Sequence, residues 1–164
     1  MKKILVAIVM GSSSDWETMQ QAAQQLQDFG VSCDTRVISA HRSPDLLDDY
    51  IKEMTEQGVQ CFIAGAGGAA HLAGVIAGKT TLPVLGVPMP SKHLNGMDSL
   101  LSTVQMPKGI PVATFAIGEA GAANAGLFAV SMLALNDMSL AGKLASYRKK
   151  QAEVIAATTL PGLS

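Results

Sequence analysis

The chain has 164 residues, enough for one domain that buries roughly two thirds of its surface on folding, so no second domain is needed. Apolar residues make up 48% and charged residues 15%, with a net charge of -1, which leaves no broad basic face for a nucleic-acid backbone and favours a small ligand. Aromatics at 4% and 16 glycines argue against base-stacking platforms and for tight turns where backbone approaches a ligand.

Lys2 and Lys3 followed by the apolar run 4–10 imitate a secretory leader, but the run is minimal for one and lacks a small-x-small cleavage site. A buried first strand is expected there, then a glycine turn and a helix reaching Phe29 and Gly30, with Ser14 and Glu17 at capping-box spacing. A second strand, about 33–39, leads through Ala40, His41 and Arg42 to Ser43, Pro44 and Asp45, which read as N-cap, first-turn proline and first-turn acid of a helix closed by Gly58. The third strand, 61–64, runs into the glycine-rich stretch 65–74 and a short helix to about Lys79. A fourth strand at 83–87, a long loop, a helix near 97–104, a fifth strand at 111–117 and an apolar helix over about 121–135 follow. The last segment, 137–156, is amphipathic along Leu140, Leu144, Tyr147, Val154 and Ile155, so it must dock outside the domain or on a neighbour. The domain spans 1–157, and 158–164 is a loose tail.

Strands alternating with helices predict a single-domain α/β three-layer sandwich with a five-stranded parallel sheet. In the order 2-1-3-4-5, the turns after strands one, two and three meet at the switch point where such sheets bind ligands. Those turns carry Ser12, Ser14, Asp15, Ser39, His41, Arg42, the glycine loop and His71. Gly65, Gly67 and Ala70 match a G-x-G-x-x-A dinucleotide fingerprint, but no acid follows at ribose distance and the third strand is the wrong position. The loop is better read as a backbone nest for an oxyanion. Gly74 to Thr80 imitates a phosphate loop with its leading glycine displaced. His41 beside Arg42 points to a proton carrier next to a bidentate oxyanion clamp, against the plainer readings of a backbone-bonded histidine and an Arg42–Asp45 ion pair. Asp15 reads equally well as an acid at a positive helix end or as an acceptor of two ribose hydroxyls. His71 is a second polar contact, and His93 carries no signal. Three histidines on separate loops without supporting acids make no metal site. Cys33 and Cys61 lack metal spacing and read as reduced thiols of a cytoplasmic protein.

The motifs GSSSDW, SAHRSPD and GAGGAAHLAG, in this order, together resemble the N5-carboxyaminoimidazole ribonucleotide mutase family, the class I PurE family of purine biosynthesis. The likeness continues through Val87-Pro88, Asp98-Ser99-Leu100, Gln105-Met106-Pro107, Ala116-Ile117-Gly118 and Ala120-Gly121-Ala122 to Asn124-Ala125. It implies a flavodoxin-like homo-octamer without metal or organic cofactor that moves a carboxyl group from the exocyclic nitrogen of an aminoimidazole ribonucleotide to a ring carbon. His41 would be the general acid/base. Asp15 would hold the ribose, Arg42 with Ser14 and Ser39 the phosphate, and Ser12 with Gly67, Gly68 and His71 the base and carboxylate; Ala40 and Leu72 complete the substrate-binding set. Ala73 stands where the family usually has proline, Ser43 where it commonly has threonine, and Met89-Pro90 is unusual. Two rivals stand: a class II carboxylase that uses carbon dioxide directly, and a non-catalytic module binding a phosphorylated nucleoside or flavin. Transient contact with the upstream synthetase is left open; neither nucleic acid nor membrane is an expected partner.

Overall fold

The computed structural model describes residues 3–160 and Gly162; Met1 and Lys2 before the first strand, and Pro161, Leu163 and Ser164 of the expected tail, lie outside the described residues. Five parallel strands, β1 (Val6–Met10), β2 (Cys33–Val37), β3 (Cys61–Ala66), β4 (Val84–Pro88) and β5 (Ala113–Thr114), form one sheet in the order β2-β1-β3-β4-β5, as the sequence predicts. β1 is an interior strand between β2 and β3 and wholly buried, and its side chains alternate between the two helical layers, as period-two geometry requires. Val6, Ile8 and Met10 face a layer built from α1 (Trp16–Phe29), α5 (Glu119–Ala134) and α6 (Met138–Ala156). Ala7 and Val9 face α2 (Pro44–Glu56) and α3 (Leu72–Ala77). α4 (Met97–Val104) covers the same side of β4, where a Cβ on Gly86 would come within 2.6 Å of Thr103 Cγ2.

Several boundaries move for identifiable reasons. β3 runs on to Ala66 instead of ending at Ala64, because Gly65 still pairs with Met10 and Val87 while Met19 of α1 fills the space a side chain would need. β5 keeps only Ala113 and Thr114 of the expected seven-residue span. Pro111 has no N–H to give the ladder, and beyond Phe115 the chain must turn into α5. Gly121 permits that turn: a Cβ there would lie 1.6 Å from the Ala116 carbonyl oxygen.

The capping box also shifts. A 3-10 turn over Ser13–Asp15 precedes α1, so Ser12, not Ser14, is the cap: its hydroxyl accepts the Ser14 N–H at 3.3 Å, and the Asp15 carboxylate accepts the Ser12 N–H at 3.2 Å. Ser43 does occupy the N-cap of α2, with Pro44 following, but its hydroxyl makes no cap. It accepts the Ser39 N–H at 3.2 Å and donates to the Ser39 carbonyl at 3.0 Å, binding the turn to itself.

α6 docks on its own domain through its first half. Leu140 is buried, Tyr147 meets Phe29 edge-on at 5.6 Å, and Lys143 Nζ donates to the Phe29 carbonyl at 2.9 Å. Its far end leaves Val154 and Ile155 exposed. Among the described residues no helix is long and apolar enough to cross a membrane. Cys33 and Cys61 are both free; each pairs in register with Val6, so β1 separates them.

Candidate active site

Right-handed crossovers bring the turns after β1, β2 and β3 to one edge of the sheet, where they enclose a cleft of about 380 Å³. The first turn contributes Gly11, Ser12 and Asp15, the second Ser39, Ala40, His41 and Arg42, and the third Ala66, Gly67, Ala69, His71 and Leu72. Nine of the eleven positions singled out in the sequence therefore line one space. Ser14 and Gly68 stand just behind the lining. The Ser14 hydroxyl donates to Ser12 Oγ at 2.9 Å, and the Gly68 N–H is turned to Ser99 Oγ at 2.9 Å.

The two histidines meet. His41 Nε2 lies 2.8 Å from His71 Nδ1, with the rings nearly perpendicular at 85° and their centroids 5.0 Å apart. One hydrogen serves the pair, so in the neutral state one ring donates and the other accepts. His71 can reach across because, although it occupies the N-cap of α3, its side chain makes no cap bond. Both imidazoles are exposed at the cleft mouth.

Arg42 is anchored from below: Nη2 donates to the Gly11 carbonyl at 3.0 Å and Nε to Ser39 Oγ at 3.2 Å. No ion pair between Arg42 and Asp45 occurs among the described residues. This tether aligns the guanidinium while leaving other N–H donors of the fork for a ligand. Asp15 lies half-buried across the cleft, and its carboxyl sits above the usual aspartate range because burial disfavours the charge; the Ser12 N–H and the Ser14 hydroxyl oppose that shift. The cleft thus offers a hydrogen-bonded imidazole pair, one tethered guanidinium and one carboxyl group within three adjacent turns. Among the described residues no group of three or more His, Cys, Asp or Glu could hold a metal ion.

Sequence reasoning missed the support behind the glycine loop. Ser99 and Thr103 of α4 are buried polar residues, and Ser102 beside them bonds the same loop. The spacing of Ser99 and Thr103 on one helical face, directed inward, was the available signal. Gly11 was also unmarked as a contact; it acts through its carbonyl, which no side-chain pattern reveals.

Polar side chains gathered at the switch point of a 2-1-3-4-5 parallel sheet covered on both faces define a flavodoxin-like protein. A family model described as AIR carboxylase matches residues 5–154. The chain is 57% identical to the N5-carboxyaminoimidazole ribonucleotide mutase of Vibrio parahaemolyticus over 95% of this chain and 97% of that relative. It is 55% identical to the protein of the same name from Bacillus subtilis, covering 92% and 93% of the two chains. Among solved structures, Treponema denticola PurE matches with a TM-score of 0.85 at 31% identity, covering 93% of this chain and 94% of that one. The chain belongs to the AIR carboxylase family.

Proposed function

We propose that this chain is an N5-carboxyaminoimidazole ribonucleotide mutase of purine biosynthesis, producing 4-carboxyaminoimidazole ribonucleotide with His41 as general acid/base. The observation that carries the reading is the His41–His71 hydrogen bond in a cleft that also holds Asp15 and Arg42, in a chain 57% identical to a relative of that name. In the first step the bond from the exocyclic nitrogen to the carboxyl carbon breaks, its electron pair stays on nitrogen, and His41 in its charged form supplies the proton that nitrogen takes up. Carbon dioxide is released into the cleft. In the second step the ring carbon attacks carbon dioxide, a carbon–carbon bond forms, and the ring proton returns to His41. Protons and charge balance over the cycle, and one imidazole serves in both states, worth typically ~10²- to 10⁴-fold in rate.

The ligand displaces His71 from His41 Nε2, and His71 then turns to the carboxylate region with Ser12 and the Gly67 backbone. Asp15 accepts the ribose hydroxyls. Arg42 and Ser39 take the phosphate, and Ser14 acts through the Ser12 hydroxyl it already contacts. Gly68 acts through the loop's shape, because its own N–H is committed to Ser99. Ala40 and Leu72 supply apolar wall.

The reading extends to a homo-octamer working in the cytoplasm. What supports assembly is apolar surface left on α5, α6 and α4: Phe128, Met138 and Leu101 are exposed by 46%, 91% and 50%. Light scattering at micromolar concentration should give the octamer mass, and a stable monomer would refute it.

The deciding assay offers purified protein each ribonucleotide in turn. The mutase consumes the N-carboxylated substrate without added bicarbonate. A protein that refuses it and carboxylates aminoimidazole ribonucleotide only with bicarbonate is a class II carboxylase instead, and one that binds both without turnover is a binding module.

A further inference from the structure

The glycine loop is held from behind by a helix that never touches the cleft. Gly68 adopts a left-handed backbone, φ 66°, and α4 reaches both of its polar groups: the N–H donates to Ser99 Oγ at 2.9 Å, and the carbonyl, which also accepts the Ala70 N–H at 2.9 Å, lies 2.9 Å from Ser102 Oγ, whose hydrogen it shares with the Asp98 carbonyl. The next layer continues the pattern. The Ala70 N–H reaches Ser102 Oγ at 3.3 Å, and Thr103 Oγ1 donates to the Ser99 carbonyl at 2.8 Å. Ser99 is wholly buried, at a position where helix packing alone would be served by an apolar side chain. A buried hydroxyl that accepts one particular loop N–H sets the direction of that peptide, since rotating it away would strand a donor without water.

We propose that Ser99, assisted by Ser102, is a positioning residue for the carboxyl transfer: it turns the Gly68 peptide away from the cleft so that Gly67, Ala69 and His71 are presented to the reacting carboxyl group. The inference rests on the mutase reading of the same site. The chain of contact is short. Ser99 fixes Gly68, the flanking Gly67 and Ala69 line the cleft, and two residues further on His71 meets His41. Gly67 itself has little room to drift, because a Cβ there would lie 3.2 Å from Met89 Cβ and 3.7 Å from Ser99 Oγ. Removing the Ser99 hydroxyl frees the Gly68 peptide and loosens the wall against which carbon dioxide must be held between its release and its capture. The phosphate and ribose anchors, on the first two turns, are untouched.

The test is a partition ratio measured on the whole protein with N5-carboxyaminoimidazole ribonucleotide as substrate: aminoimidazole ribonucleotide released divided by 4-carboxyaminoimidazole ribonucleotide formed, after subtracting spontaneous decarboxylation. This ratio is independent of how many molecules are folded, so general damage does not move it. In Ser99→Ala the ratio should rise severalfold and kcat fall about 10- to 100-fold, with KM within about twofold of wild type. A folded Ser99→Ala with wild-type ratio and kcat overturns the proposal, as does a fall in kcat with the ratio unchanged, which marks Ser99 as merely structural. If Ser99→Ala does not fold, Ser102→Ala is read by the same ratio with the same meanings. A wild-type chain that does not interconvert the two ribonucleotides overturns the mutase reading and this inference together, so the two failures are told apart by the wild-type measurement.

Discussion

The two helical layers differ in what they use small residues for. On the α1–α5–α6 side, glycine and alanine let helices close on one another: Gly126 sits so near α1 that a Cβ would lie 2.8 Å from the Ala22 carbonyl oxygen, and Ala122, Ala125 and Ala129 are fully buried beside it. On the α2–α3–α4 side, Ser99 and Ser102 spend their small size on hydroxyls that reach loop backbone, while Thr103 Oγ1 donates to the Ser99 carbonyl of its own helix. The first arrangement gives area burial and dispersion, which is non-directional. The second gives direction, because a hydrogen bond specifies where a peptide points. Both faces bury an apolar core, and the α4 side adds hydroxyls that direct the loop backbone at the site.

That division is broken or sharpened by substitutions that separate stability from turnover. The largest effect is expected at the second turn: His41→Asn should lose about 10²- to 10⁴-fold in kcat while circular dichroism, melting temperature and ribonucleotide affinity stay close to wild type. Near-normal turnover would remove the assigned acid/base. Next, Asp15→Leu should weaken ribonucleotide binding by about 10- to 100-fold in calorimetry, as expected for losing charge-assisted hydrogen bonds; unchanged affinity would dismiss the ribose contact. Gly126→Ala, on the opposite layer, should cost about 1–3 kcal/mol by wedging α1 from α5, lowering the melting temperature several degrees, with kcat and KM of the folded fraction unchanged. A change in KM there would show that the two faces are coupled. The smallest effect is on pH. The folded Asp15 carboxyl titrates above the ordinary aspartate range, and its ionised form is the acceptor, so affinity should begin to fall on acidification at a higher pH than a free aspartate would give. Asp15→Asn should abolish that acid limb.

Much of this was legible from residue order because strand and helix periods are local and strong. The five strands follow from periodicity, and once the order 2-1-3-4-5 is taken, crossover handedness brings Ser12, Asp15, Ser39, His41, Arg42 and His71 together. What escaped was a choice between competing local signals. Ser12 and Asp15 stand at the same capping spacing as Ser14 and Glu17, and the 3-10 turn uses the first pair, while Pro111 and the turn into α5 cut β5 to two residues. Ser43 illustrates the limit at one residue: the sequence marks its position as N-cap, yet the hydroxyl goes to Ser39 because that turn folds back on itself. The α4 hydroxyls contact residues more than thirty positions away, a separation no local pattern spans.

The placement of the two cysteine sulfurs decides whether the domain can form a disulfide within itself. Cys33 and Cys61 occupy one row of the sheet with Val6 between them, two strand spacings or roughly 9–10 Å apart, farther than a disulfide reaches. Burial pushes the Cys61 thiol up to about 12, so it stays protonated at neutral pH; burial and the neighbouring Asp34 also push the Cys33 thiol up, but Cys33 is partly exposed and should be the first to react with an alkylating reagent. A cross-link between them is therefore geometrically barred, and no disulfide within the chain contributes to the architecture.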